Sequence, residues 1–454
     1  MHGYALKEPS RMTDTISNID QLAINGGTKA FGAKAGKPQP KIGTEELFAI
    51  AERFGVKPDA MARLRSAISN DDLQGNGPNL AAYACPSPAP SSTSKLTTLA
   101  QQLFDSPFAL PVSSGTGALH AAMIAVGAGP GKDVIVPAMG FIATAAAVAV
   151  VGATPVFCDV DESLQLDPQK LEACMTPNTV AVVPTHHWGM VADMDPIIAI
   201  AARHNVRVIE DCAQSPGATY KGQCVGTIGD VGCFSISAYK IIGGGEGGMV
   251  LARDQRLFDR ACQLVECGGL WRKDRFAPER YEGELFAGSN YRMSDLEATV
   301  NIVQLQKLEA IVNRTRKAYR RIASQLISVR DVRPQVINDR DGLIGYQLRF
   351  FPATHELSAK IAGALVAEGV GAGTRGPDGT PDWHLCSEMF PLRPSLKPHS
   401  RADQCPTAMD LFRREVTVGV DQWMTEADCD AMAAAINKVL TAYSAPDENA
   451  PAWW

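Results

Sequence analysis

From Lys95 to Arg253 the chain alternates short apolar runs with stretches of helical spacing, and that alternation admits few folds. The runs DVIVP (133–137), PVFCD (155–159), VAVVP (180–184), VRVIED (206–211), GCFSI (232–236) and GMVLA (248–252) are short, and several are rich in β-branched residues, as buried strands are. Between the earlier runs, 115–126, 140–151 and 194–204 carry helical spacing. The pattern predicts an α/β fold with a mostly parallel sheet covered by helices. Further on, 294–328 reads as strongly helical, and 330–443 mixes strands with helices (358–368 and 425–442) as a smaller C-terminal α+β domain would. At 454 residues a single core is past its comfortable size. The expected division is an N-terminal arm (1–45), a large domain (46–305), a small C-terminal domain (306–445) and a tail (446–454). Residues 44–69 read as helical. The stretch 70–94, with QGNGP and CPSPAPSS, reads as a long loop at an active site or interface.

Composition removes several function classes. Lys and Arg number 43 against 49 Asp and Glu, a net charge of −6 with no long basic run, which argues against nucleic acid as the main partner. The longest mainly apolar stretch, residues 141–151, is far short of the roughly 20 residues a membrane helix needs. Residues 1–17 lack the apolar block of a signal peptide, so a cytoplasmic protein is expected. Eleven cysteines without a CxxC pair predict reduced, mostly buried thiols, with no disulfide framework and no metal site.

Three clusters carry chemistry. SSGTGAL (113–119) opens a helix after a strand, where small residues leave backbone N–H groups and the Thr116 hydroxyl at the positive end of the helix dipole, a setting for phosphate and equally for a structural cap. VIEDCAQ (208–214) sets Glu210 and Asp211 at the carboxyl end of a strand, where open α/β sheets bind ligands. Lys240 sits among apolar residues and Tyr239, just before a glycine run. Desolvation there lowers an amine's pKa and makes it nucleophilic. A phosphate cradle, a strand-end acid and a lysine 29 residues after it together describe pyridoxal phosphate, which needs an anion site, an acid for its pyridinium nitrogen and a lysine to carry it.

Further stretches follow in a fixed order: INGGT (24–28), SGTGAL (114–119), VPAMGFIAT (136–144), GATPVFCDV (152–160), HHWG with ADMD (186–195), EDCAQSPGA (210–218), GTIGDVGCFS (226–235), Lys240 with GEGG, and NYRMS (290–294). In these the chain resembles the DegT-type (DegT/StrS) sugar aminotransferases, a branch of the fold-type I pyridoxal phosphate enzymes, over roughly residues 22–440. The resemblance implies a large domain around a seven-stranded-type sheet and a smaller C-terminal domain. It implies that Lys240 carries the cofactor and moves the proton of the 1,3-shift, and that Asp211 pairs with the pyridinium. Gln214 would hydrogen-bond the phenolic oxygen, Phe141 would stack on the ring, and Gly115, Thr116 and Ser235 would bind the phosphate. Asn290 would reach the phosphate of a partner subunit's cofactor, which implies a homodimer with shared sites. His186 matches a recurrent histidine near the ring, where a packing and a chemical role stand as equal alternatives. Tyr291, Arg292, Arg375 and His384 are the substrate candidates, with Arg292 either for the donor's carboxylate or in a structural ion pair at a helix start.

The activity implied is transfer of an amino group from Glu or Gln to a keto or aldehyde group of a sugar, sugar acid or cyclitol. The SGT and GEGG forms lean toward cyclitol ketones or free sugar acids. Dehydration, the family's other chemistry, goes with His in place of the lysine, and Lys240 argues against it. Two GxGxxG matches (243–248 and 371–376) suggest a nicotinamide enzyme, but neither opens a helix after a strand. A non-catalytic protein retaining the fold would be expected to lack Lys240 or Asp211. Segment 373–384 matches no nucleotide-sugar pattern.

Overall fold

A computed structural model describes residues 19–32, 40–73, 80, 91–269 and 278–454. The chain forms two compact units, 1–79 and 80–454. In the first, the helical stretch read over 44–69 is two helices, α1 (Thr44–Arg53) and α2 (Pro58–Ala67). The break falls where Gly55 takes φ +78° and Pro58 opens the second helix, a position where its missing N–H costs nothing. Most of the expected arm (1–18 and 33–39) and most of the 70–94 loop lie outside the described residues.

The second unit begins its regular structure at α3 (Ser92–Phe104), capped by Ser91, whose Oγ accepts from Ser94 N at 3.1 Å. There follow β1 (Phe108–Val112), α4 (Gly115–Ala125), β2 (Asp133–Pro137), α5 (Ala143–Val150), β3 (Thr154–Cys158), α6 (Pro168–Leu171), β4 (Thr179–Val182), α7 (Met194–His204) and β5 (Arg207–Asp211). A two-stranded ribbon, β6 (Thr219–Tyr220) and β7 (Gln223–Cys224), precedes β8 (Val231–Ser235), β9 (Gly248–Ala252) and α8 (Gln255–Val265). The large sheet runs β1-β9-β8-β5-β4-β2-β3 and is parallel except for β9, which pairs antiparallel with both neighbours. Helices cover both faces, so β2, β8 and β9 are buried along their whole length and read as unbroken apolar runs. α4 is apolar nearly all round and packs between α5, α8 and the sheet.

α9 (Asp295–Ala323) is 29 residues long, about 43 Å at 1.5 Å per residue. Its Leu305 and Leu308 join the core under the large sheet, and its Tyr319 and Ile322 join a separate core beyond it. The expected boundary at 305/306 therefore falls inside one continuous helix. The second core is built on β10 (Val332–Pro334), β11 (Gln347–Pro352), α10 (His355–Ala367), β12 (Ala372–Thr374), β13 (Val416–Gly419) and α12 (Glu426–Tyr443), with an antiparallel sheet in the order β10-β11-β13-β12, whereas Ala408, Leu411 and Phe412 of α11 (Pro406–Arg414) join the core on the large sheet. The tail, opaque in the sequence, closes this core. Trp453 is buried edge-on against Phe350 (5.3 Å between centroids) and donates its indole N–H to Ile327 O at 3.2 Å.

Candidate active site

Parallel strands deliver their carboxyl ends to one edge of the sheet, and the sequence clusters meet there. Asp211 ends β5 and Ser235 ends β8, with Lys240 five residues further on. Gly115 starts α4 so close to Ser235 that a Cβ added to it would lie 2.7 Å from the serine Cβ. Only a glycine lets the helix N-terminus and the serine hydroxyl share one cradle, and the exposed Thr116 follows it.

Asp211 is buried. Its Oδ1 accepts from Ala213 N at 3.0 Å and its Oδ2 from Thr144 Oγ1 at 2.5 Å. Thr144 was missed as a site residue although it closes the VPAMGFIAT stretch. Burial pulls the Lys240 amine below the ordinary lysine pKa, and the Asp211 charge only partly opposes this. Both residues thus stand in one electrostatic neighbourhood.

Lys240 borders a cavity of about 390 Å³ shared with Trp188, Gln214, Tyr239, Ile241, Tyr346 and His384. Gln214 Oε1 accepts from Trp188 N at 3.0 Å, which leaves its NH2 group as the donor. Trp188 holds φ +55°, a left-handed conformation uncommon for a bulky residue. Gly189 follows at φ +78°, where a Cβ would come within 2.7 Å of the Tyr346 ring. The Tyr346 hydroxyl donates to Gln214 O at 3.2 Å. Phe141, on the loop after β2, is 44% exposed, and its ring centroid lies 5.3 Å from that of His384.

Other expected residues stand differently. His186 was placed near the cofactor ring, but both its ring nitrogens are engaged inside the protein. Nδ1 accepts from Ala192 N (3.1 Å) and Nε2 meets Glu210 Oε2 (3.0 Å), while Glu210 also accepts from the N–H groups of Gly226, Ile228 and Gly229. His186, Glu210 and Cys212 offer ligand atoms within 4.8 Å of one another. Those hydrogen bonds occupy the carboxylate, and burial, with the nearby Glu210 and Asp211 charges, keeps the Cys212 thiol protonated, so the group reads as a hydrogen-bonded knot under the strand. His187 is the histidine stacked on Trp188, and its two buried ring nitrogens have no partner among the described residues. Tyr291 bonds His120 Nδ1 through its hydroxyl at 2.9 Å. Arg292 meets the buried Glu266 at 3.0 Å, so the carboxylate it serves in the structure is the protein's own. Asn290 is exposed, and its Oδ1 accepts from Arg292 N at 3.2 Å. All ten cysteines among the described residues are free.

Residues 91–437 match the model of the DegT/DnrJ/EryC1/StrS aminotransferase family. The chain belongs to this family. It is a pyridoxal phosphate-dependent aminotransferase. A GDP-perosamine synthase of Caulobacter vibrioides is 35% identical over 337 residues, covering 73% of this chain and 85% of that protein. An L-glutamine:2-deoxy-scyllo-inosose aminotransferase of Streptomyces fradiae is 39% identical over 238 residues, 51% of this chain and 56% of that one. Among solved structures, that of 3-amino-5-hydroxybenzoic acid synthase has a TM-score of 0.65 at 26% identity, covering 77% of this chain and 91% of that one. The family's cofactor fits the residues present: a glycine-built cradle at a helix N-terminus, a buried carboxylate at a strand end, a desolvated lysine and a carboxamide with its donor free.

Proposed function

We propose that this aminotransferase moves an amino group from Glu or Gln to a keto or aldehyde group of a sugar, sugar acid or cyclitol, as a cytoplasmic homodimer with shared sites. The observation that carries the reading is Lys240, a desolvated amine beside Asp211 on the wall of a cavity with room for a small polar substrate. The named activities of the relatives, on nucleotide-linked sugars and on a cyclitol ketone, support the acceptor class.

When bound, pyridoxal phosphate supplies an electron sink for negative charge at the carbon bearing the substrate's amine. The chain's residues do the rest. Lys240 Nζ would hold the cofactor and, as a desolvated amine on the cavity wall, would serve as the base that carries the proton of the transfer. The Asp211 carboxylate, held in place by Thr144 and Ala213, keeps a proton on the pyridine nitrogen. Gly115, Thr116 and Ser235 bind the phosphate, Asn290 reaches that of the partner subunit, and Gln214 donates its NH2 to the phenolic oxygen. Phe141, 5.3 Å from His384 between ring centroids, would stack on the cofactor ring. Tyr346 and His384, both beyond α9, complete the cavity wall.

A half-reaction screen tests the reading, following the visible absorbance of the holoenzyme as amino compounds are added. Fast conversion by Glu or Gln and by an amino sugar or aminocyclitol is expected, with weak activity on simple keto acids. Conversion by apolar amino acids alone would sink the sugar and cyclitol assignment and leave the aminotransferase intact.

A further inference from the structure

A chain of charges runs from one residue of the cavity wall, Trp188, to another, His384. The Arg349 guanidinium lies 3.4 Å from the centre of the Trp188 ring and bonds Glu415, both side chains being 3% exposed or less. Glu415 Oε1 is 3.6 Å from Arg375 Nε, and Arg375 Nη1 is 2.6 Å from Asp382 Oδ2. Asp382 Oδ1 then accepts from both His384 Nδ1 (2.6 Å) and His384 N (2.9 Å). The Asp382 backbone is itself pinned, its N–H donating to Glu388 Oε2 at 2.5 Å. The charges of the two arginines and two carboxylates cancel, so the row is neutral when His384 is neutral. A histidine that only filled space would need none of this, because buried ions are costly to assemble.

The row sets one tautomer. Burial holds His384 below the ordinary histidine pKa, against the pull of Asp382, so the ring is neutral at neutral pH. A neutral imidazole that donates Nδ1–H to a carboxylate carries its lone pair on Nε2. That nitrogen has no protein partner among the described residues, and His384 borders the cavity. Of the other lining residues, Lys240, Gln214, Trp188 and Tyr239 offer an amine, an NH2, an indole N–H and a phenol, and the Tyr346 hydroxyl already donates to Gln214 O.

Resting on the function proposed above, we propose that His384 Nε2 accepts a hydrogen bond from a hydroxyl that the substrate carries beside its reacting carbon. Asp382, with Arg349, Glu415 and Arg375 behind it, positions that acceptor, and the pair selects hydroxylated over deoxygenated substrates.

The test compares kcat/KM for whichever of scyllo-inosose, 3-ketoglucose and UDP-linked 3-ketoglucose the holoenzyme turns over with that for the analogue lacking hydroxyls on the two flanking carbons. The wild type is expected to prefer the hydroxylated compound by about tenfold or more, since a site built to bond a hydroxyl is left unpaired without it. In His384→Phe the preference falls below about threefold, with most of the loss in KM for the hydroxylated compound. Asp382→Asn, whose amide donates to Nδ1 and moves the proton to Nε2, loses the preference with the ring still in place, and serves as well if His384→Phe does not fold. Equal losses on both compounds in both variants, with the preference intact, would overturn the inference and leave the proposed function standing. A wild type that turns over no polyhydroxylated acceptor of any kind would overturn the proposed function and this inference with it.

Discussion

Asp211, Ser235 and Lys240 come from a 30-residue stretch at the carboxyl edge of the large sheet, whereas the facing wall gathers Trp188, Tyr346, Arg349, Arg375, His384 and Glu415 from five separate segments. The sheet edge holds its groups by backbone geometry. A strand end aims Asp211 and a glycine brings α4 onto Ser235. The opposite wall ties its groups to one another through side chains, in ion pairs whose partners lie up to 66 residues apart. Backbone geometry thus fixes the first set of groups, and charge pairing joins the second.

The comparison is broken most directly at Lys240. Lys240→Ala should lower turnover on the order of 10³-fold or more, with no loss of thermal stability, because the residue removed is a desolvated amine engaged in chemistry. A variant that retains near-normal turnover would show that the sheet edge is not the reactive side. Arg349→Met should do the reverse of Lys240→Ala in stability. Leaving the buried Glu415 with only its longer Arg375 contact should cost about 3 kcal/mol in a denaturant titration, and adding Glu415→Leu should recover part of it.

Asn290 sharpens the contrast at smaller amplitude. Asn290→Ala should weaken cofactor retention about tenfold, the worth of one good hydrogen bond, while saturating cofactor restores turnover. Equilibrium dialysis measures it, and an active monomer in sedimentation would contradict the shared site. The smallest effect is expected at Glu297, whose carboxyl is pushed up to about 7 by burial and then by Glu246. The folded pKa stands above the unfolded value of 4.5, so the native state binds the extra proton and loses stability as pH rises between 4.5 and 7. Glu297→Gln should therefore raise the Tm at pH 8 and leave it unchanged near pH 4.5.

What the sequence disclosed follows the same divide. The strand runs were legible because strands buried on both faces are continuously apolar, and β9 agrees residue for residue with the run read at 248–252. Lys240, Asp211 and Gly115 stood out because each lies in a contiguous stretch whose spacing a strand end and a helix start dictate. His186 and His187 were not separable, since adjacent residues beyond a strand can face either way and only the three N–H groups gathered by Glu210 decide which histidine is tied down. Arg349 and Glu415 gave no signal: one reads as an interruption of an apolar strand, the other as the end of a polar helix. The break between α1 and α2 could have been read from Gly55 and Pro58. The tail could not, because Trp453 earns its place only against Phe350.

Trp188 has a consequence in light. Its indole is 8% exposed and lies on the cavity wall, while Trp383 and Trp423 stand largely in solvent and Trp453 is tucked into the far core. An excited indole beside a chromophore that absorbs at its emission wavelengths gives up its energy without radiating. With the cofactor bound as proposed, the ultraviolet emission of Trp188 should fall with occupancy, and Trp188→Phe should remove the largest share of that change.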